Sequence, residues 1–347
     1  MRRMNLVLGL VLAIAACSDD PLFPLAEGQG IDAGGLAQAV ASARKTGTVH
    51  SLLVERHGVL VAEAYFAGHA RDSLSLVWSV TKSLTSTLVG IALADGHLQS
   101  LDEPIGPYVD GLVPELPEEK RAITLRHLLT MSSGIAWRYE TGLSTEYDDW
   151  MASPNQVRYY LDKPLEHPPG EHFQYSDAGA HLAGVVLQEA VGMSSLAYAR
   201  SRLFDPLGFA PATWDTDKQG YSVGAAGLRI RALDMVKLGR LFLDGGLWGG
   251  KRILSEAWIA QATAPQISLD VPHRGSRTYG YFWWLYECLG GPCYRASGYA
   301  GQLIVVVPHK DLVVVATSDA ACDLAEADRR WNSAFRLVEE KVLPLVR

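Results

Sequence analysis

The chain has 347 residues, of which 48% are apolar and 20% charged, and a formal net charge of −7. Such a length calls for one large core with an insert or for two lobes, and the balance is that of an ordered globular protein with disorder confined to its ends. An acidic chain without a basic stripe excludes nucleic acid as a partner.

The N-terminus reads Arg2-Arg3, an apolar run over residues 6–13 and then Ile14-Ala15-Ala16-Cys17. This is the layout of an export signal, too short to span a bilayer. A cysteine directly after the small residues resembles a bacterial lipoprotein signal, in which residues 1–16 are removed and Cys17 is lipidated. An ordinary cleaved signal with an incidental cysteine is the alternative. The lipoprotein reading makes residues 17–30 a tether and puts the protein outside the cytoplasm, membrane-anchored, in the periplasm or at the cell surface.

Leu36, Ala39, Val40 and Ala43 recur at helical spacing and stop at Gly47, which predicts a short amphipathic helix. Residues 49–54 and 59–66 are β-rich and flank Glu55-Arg56-His57-Gly58, a hairpin pattern. Leu84, Leu88 and Ile91, with Val80, Val89 and Leu93 beside them, predict a helix apolar on most of its circumference, hence buried, up to Gly96. Short helices and Pro/Gly-rich loops follow. Thr124 is placed to cap residues 125–131, and a helix carrying Leu182, Val185 and Val186 ends at Gly192. Residues 214–227 are polar and glycine-punctuated, and residues 233–243 predict a helix stopped by Gly245-Gly246. Residues 279–287, 294–307 and 312–317 read as strands, and Trp331, Phe335, Val338 and Val342 as the stripe of a last helix. Strands at both ends with helices between predict an α+β fold: an antiparallel sheet flanked by helices, with a largely helical inserted domain. The sheet domain takes residues 31–77 and 225–347, and the helical domain residues 78–224.

Trp78-Ser79-Val80-Thr81-Lys82 places a serine and a lysine one helical turn apart where the buried helix begins. A lysine amine accepts a serine proton only if burial or nearby positive potential lowers its pKa, and a helix N-terminus supplies such potential. Ser42-Ala43-Arg44-Lys45 has the same spacing, on the polar side of an exposed helix. Gly220-Tyr221-Ser222-Val223-Gly224 matches G-x-S-x-G, but that motif needs a buried strand before its serine, and Trp214-Asp215-Thr216-Asp217-Lys218-Gln219 is polar.

Trp78-Ser79-Val80-Thr81-Lys82-Ser83, Leu101-Asp102-Glu103-Pro104, Leu128-Leu129-Thr130-Met131-Ser132-Ser133-Gly134, Pro169-Gly170 before Tyr175-Ser176-Asp177, Pro206-Leu207-Gly208 and Gly298-Tyr299-Ala300-Gly301-Gln302 follow in order. The set resembles the serine β-lactamase-like hydrolases, in the branch of class C β-lactamases, D-alanyl-D-alanine carboxypeptidases, carboxylesterases and 6-aminohexanoate-dimer hydrolases. It covers nearly all of the chain after the signal.

The resemblance implies an acyl-enzyme on Ser79, with Lys82 helping to deprotonate it and Tyr175 as second proton-transfer group. Of four Tyr-x-Asp matches, at Tyr108, Tyr147, Tyr160 and Tyr175, only Tyr175 follows a Pro-Gly turn and precedes a capped helix. The resemblance puts the oxyanion hole at the N–H groups of Ser79 and Tyr299, on a substrate strand reading Ser297-Gly298-Tyr299. Gly298 lets substrate approach closely, or marks a plain strand bend. Two positions depart from the family. Ala296 stands where a cation usually sits, which weakens β-lactamase and carboxypeptidase activity as readings. Asp177 replaces the usual Asn, and either faces Lys82, raising its pKa, or caps the following helix.

The substrate implied is a small ester, amide or peptide, with no cofactor. A non-catalytic binding or sensor lipoprotein of the same fold is the contrasting reading. Cys288-Leu289-Gly290-Gly291-Pro292-Cys293 sets two cysteines around a hairpin turn, and export permits a disulfide there. Cys322 is left as a buried free thiol. No CxxC, HExxH or HxHxD pattern points to a metal.

Overall fold

A computed structural model describes residues 25–138 and 145–347. The expected signal and Cys17 lie outside the described residues. From residue 25 on, the stretch expected as tether belongs to the fold: Ala26 is fully buried, and the Arg56 guanidinium donates to the carbonyls of Gln29 and Gly30 at 2.8 Å each.

Helix α1 (Ala33–Thr46) starts at Asp32, whose carboxylate accepts from the Gly34 N–H, and ends on left-handed Gly47. Strands β1 (Val49–Arg56) and β2 (Val59–Tyr65) are joined by His57 and Gly58, both at positive φ as a tight hairpin turn requires. Helix α2 (Val80–Ala94) is buried from Val80 to Ala92, as its apolar circumference demands. Helix α3 (Leu125–Leu129) carries a capping box in which Thr124 and His127 satisfy each other's backbone N–H. Helix α4 (Asp177–Val191) and helix α5 (Ala232–Leu243) follow.

The C-terminal third supplies β3 (Ile267–His273), β4 (Ser276–Tyr279), β5 (Trp284–Cys288), β6 (Gly291–Gly298), β7 (Gln302–Val307) and β8 (Leu312–Ser318), then α6 (Leu324–Arg336). Among the described residues they join β1 and β2 in an eight-stranded sheet of order β2-β1-β8-β7-β6-β5-β4-β3. The registered pairs within it are antiparallel. Strand β1 pairs with β8, so strands from both ends of the chain complete one sheet.

Alternation along the central strands divides the core in two. Ile304, Val306, Val313 and Val315 face α2 and the helical middle of the chain, whereas Leu303, Val305, Val307, Val314 and Ala316 face α1 and α6. Two runs expected as single strands are broken. Residues 280–283 interrupt the first, because the Phe282 N–H is committed to the Leu129 carbonyl at 3.1 Å and Phe282 turns left-handed. The second folds back at residues 299–301, where Ala300 (φ 57°) and Gly301 (φ 98°) reverse the chain between β6 and β7. β3, too polar to read as a strand, forms the sheet's far edge.

Candidate active site

Residues entering and leaving the helical middle of the chain are fastened together beside α2. The short strand Leu74–Leu76 pairs with Leu228–Arg231, and the Val77 N–H donates to the Leu228 carbonyl at 3.0 Å. Trp78 then takes φ 49°, a conformation costing a non-glycine residue about 1–2 kcal/mol, and turns the chain into α2. Ser79 occupies the N-cap position, half-buried, at the positive end of a buried helix.

Lys82 lies one turn on and is 1% exposed. Its Nζ donates to Ser79 Oγ at 2.9 Å, to Asp177 Oδ1 at 2.6 Å and to the Ala225 carbonyl at 3.0 Å. Burial by itself pushes the Lys82 ammonium down, but the Asp177 carboxylate and then Tyr175 outweigh it and hold the group above the ordinary lysine value. Lys82 is therefore charged at rest.

Tyr175 arrives on a loop braced by the Leu128–Gly134 motif region: the Gln174 N–H donates to the Met131 carbonyl and the Gly170 N–H to the Ser132 carbonyl, both at 2.7 Å. Gly134 (φ 76°) belongs to this brace, since a Cβ there would fall 2.0 Å from the His167 carbonyl oxygen. The Tyr175 ring stacks on Trp284 at 5.7 Å. Burial pushes the Tyr175 phenol up, and the Lys82 ammonium and hydrogen bonding to Ser79 pull it only partway back. Of the other Tyr-x-Asp tyrosines, Tyr108 donates to Glu103 at 2.6 Å and Tyr160 pairs with Ser133 at 2.7 Å. Tyr147 comes close enough that the Asp177 charge adds to burial in raising its pKa.

Asp177 is the first residue of α4 and does not cap it. The cap is Ser176, whose Oγ accepts from the Gly179 N–H at 2.9 Å. Of the two roles open from sequence, Asp177 takes the pairing with Lys82, the two side chains being 7% and 2% exposed.

Across from Ser79, β6 ends at Gly298, where a Cβ would lie 2.4 Å from the Val77 carbonyl oxygen and 3.3 Å from the Ser79 nitrogen. Only glycine lets the strand end press on the Ser79 backbone. Tyr299 follows, its ring packed on Trp78 at 4.9 Å and its hydroxyl donating to the Cys322 carbonyl at 2.7 Å. The pleat turns Ser297 away: its Oγ accepts from the Trp331 indole N–H at 2.7 Å, on the α6 side of the sheet. Arg295 points the same way, fully buried and 4.8 Å from the ring centres of both Tyr286 and Phe335. Ala296, on the Gly298 side, is fully buried.

Cys288 and Cys293 form a disulfide with Cα atoms 5.8 Å apart. They close the β5–β6 hairpin diagonally, since Cys288 lies opposite Gly291 and Cys293 opposite Tyr286. Cys322 is a free thiol and half-buried, more open than its expected interior position. Among the described residues no group of three or more His, Cys, Asp or Glu side chains could hold a metal ion.

Ser222 is 1% exposed in a loop, its N–H given to the Gln188 side-chain oxygen at 2.8 Å. Its neighbours nevertheless serve the site. Gly224 accepts from Thr85 Oγ1 through its carbonyl at 2.9 Å, and Ala225 accepts from Lys82. The Gly224 N–H donates to His181 Nδ1 at 3.3 Å, which leaves Nε2 carrying hydrogen toward Asp217 Oδ2 at 3.1 Å. This buried Asp217–His181 brace went unread in the sequence. The available signal was position: His181 lies one helical turn beyond Asp177, on the same face.

The Beta-lactamase family profile matches residues 36–336. The 6-aminohexanoate-dimer hydrolase of Paenarthrobacter ureafaciens is 25% identical over 291 residues, covering 77% of this chain and 72% of that protein. Penicillin-binding protein 4 of Amycolatopsis lactamdurans is 29% identical over 279 residues, covering 70% and 71%. The structure of EstCE1, a hydrolase with promiscuous acyltransferase activity, shares the fold with a TM-score of 0.72 at 18% identity, covering 87% of this chain and 98% of that one. With a profile spanning most of its length, and hydrolases among its relatives, the chain belongs to the Beta-lactamase family and is a serine hydrolase.

Proposed function

We propose that Ser79 is the residue acylated, in the hydrolysis of an uncharged ester or amide. The observation that carries this is the contact of Lys82 Nζ with Ser79 Oγ at 2.9 Å, at the N-terminus of a buried helix and beside Tyr175. Ser79 Oγ attacks the carbonyl carbon while its proton enters the group formed by Lys82, Tyr175 and Asp177. The N–H groups of Ser79 and Tyr299 receive the developing oxyanion, a role supported by the close approach of Gly298 to Ser79. Tyr175 protonates the leaving alcohol or amine, and then draws the proton from the water that releases the acyl group. Preference for an uncharged substrate rests on Ala296, which offers no cation, and on Arg295, which is turned to the opposite face. Turnover of p-nitrophenyl esters with neutral acyl chains is expected, with loss in Ser79→Ala. Hydrolysis undiminished in that variant would refute the assignment.

The same reading has the chain exported and tethered through a lipid on Cys17. The charged, apolar and small-residue succession before Cys17 supports it, as does the Cys288–Cys293 disulfide, a bond that persists in oxidising compartments. Alkyne-fatty-acid labelling of the expressed chain is expected to be lost in Cys17→Ser. Equal labelling of both would exclude the anchor.

A further inference from the structure

The charge on Lys82 leaves a gap in the reaction just described: an ammonium cannot receive the serine proton until it gives one up. Its Nζ donates to Ser79 Oγ, Asp177 Oδ1 and the Ala225 carbonyl, and the Tyr175 ring centre lies 5.0 Å from Nζ. Valence sorts these neighbours. Ser79 is the source of the proton. A backbone carbonyl does not hold one at neutral pH. Tyr175, a phenol kept neutral by burial, already carries its own. Only the Asp177 carboxylate remains to take a proton from Lys82, and it does so across the shortest of the three contacts.

We infer that Asp177 is the proton acceptor behind Lys82, so that Ser79 loses its proton through a two-step relay, Ser79 to Lys82 and Lys82 to Asp177. The inference rests on Ser79 being the nucleophile. As the Oγ–C bond forms, the carbonyl π pair moves onto oxygen, the Ser79 proton moves to Nζ, and one Nζ proton moves to Asp177 Oδ1. Lys82 stays an ammonium throughout, and the buried ion pair becomes a cation beside a neutral acid while the new negative charge sits on the oxyanion. When the C–O or C–N bond of the substrate breaks, Tyr175 gives its proton to the leaving group and is restored from Lys82, which recovers its own from Asp177. Atoms and charges balance, and no second reactant is needed.

Asp177 is the first residue of the 15-residue helix α4, at that helix's positive end. It is faced by Lys82 from α2, Tyr175 from the preceding loop, Tyr147 from the helix Thr145–Ala152 and Tyr279 from β4. Burial, with smaller contributions from neighbouring charge, raises the Tyr147 and Tyr279 phenols, so both face Asp177 as neutral groups. Among the described residues, Lys82 is the cation paired with it. The sign of the pH dependence follows. In Asp177→Asn the relay is cut, and reaction has to wait for Lys82 to lose its own proton, so its rate climbs with pH.

The test is acylation by a neutral p-nitrophenyl ester in H2O–D2O mixtures, with a pH profile for native enzyme and Asp177→Asn. Native enzyme is expected to show a curved proton inventory, two protons in flight, and a rate level through neutral pH. Asp177→Asn is expected to react at least tenfold more slowly at pH 7, with a linear inventory and a rate rising with pH. A linear inventory in native enzyme, or a variant as fast as native at pH 7, would overturn the relay. The native inventory decides the matter even if the variant does not fold. A fluorophosphonate adduct on Ser79 in the same preparations separates failure of the relay from failure of the nucleophile assignment.

Discussion

Two serine–lysine pairs with identical spacing sit on helices α1 and α2, on opposite faces of the sheet, and only one is equipped for chemistry. Ser42 and Lys45 lie late in α1, the serine half-buried and the lysine exposed, with Ser42 Oγ donating to its own helix at the Gln38 carbonyl, 2.8 Å away. Ser79 and Lys82 open α2, where the lysine is buried and held on three sides by Ser79, Asp177 and Ala225. The contrast separates two things a short motif can supply. Spacing along a helix makes two side chains neighbours. Burial, the helix end and the acceptors brought by distant segments decide what the neighbours do.

The largest expected effect falls on Lys82→Met, which removes the proton carrier and strands a buried carboxylate. Ester turnover should drop by about 10²–10⁴-fold. Stability should fall by about 3–5 kcal/mol, because removing one partner of a buried pair leaves the other uncompensated. Chemical denaturation beside a rate assay reads both. A smaller effect is expected of Gly298→Ala, whose Cβ would meet the Val77 carbonyl oxygen at 2.4 Å and the Ser79 nitrogen at 3.3 Å. Backbone on both sides must shift, at a cost of about 1–3 kcal/mol, and kcat should suffer more than KM because the displaced N–H acts on the transition state. The smallest belongs to the decoy: Ser42→Ala with Lys45→Ala should leave turnover unchanged and alter stability by no more than about 0.5 kcal/mol. A rate loss there would erase the contrast between the two helices.

Much of the site was legible because its parts are local. Ser79 and Lys82 share a turn, Tyr175 sits between a Pro-Gly turn and a capped helix, and the ends of α1, α2 and α4 are marked by Gly47, Gly96 and Gly192. What stayed hidden depends on distant contact. Gly298 and Gly301 hint at a bend, but nothing in the sequence places the reversal on Ala300, a non-glycine residue held at positive φ between the paired strands β6 and β7. The pleat that sends Ser297 to Trp331 and keeps Gly298 against Ser79 follows from register, which a strand pattern alone leaves open. Asp177 could be read as cap or partner until Ser176 was seen to take the cap. The polar stretch before Ser222 argued against a second nucleophile, yet concealed that the adjoining Gly224 and Ala225, steadied by His181 and Asp217, complete the cradle of Lys82.

The central claim is that the environment at the start of α2 makes Ser79 the reactive serine. Treatment of the native chain with a fluorophosphonate, followed by peptide mass spectrometry, tests it most directly. One adduct, on Ser79 and absent from Ser79→Ala, is the expected result; an adduct on Ser222 or Ser42, or labelling that survives Ser79→Ala, would contradict it.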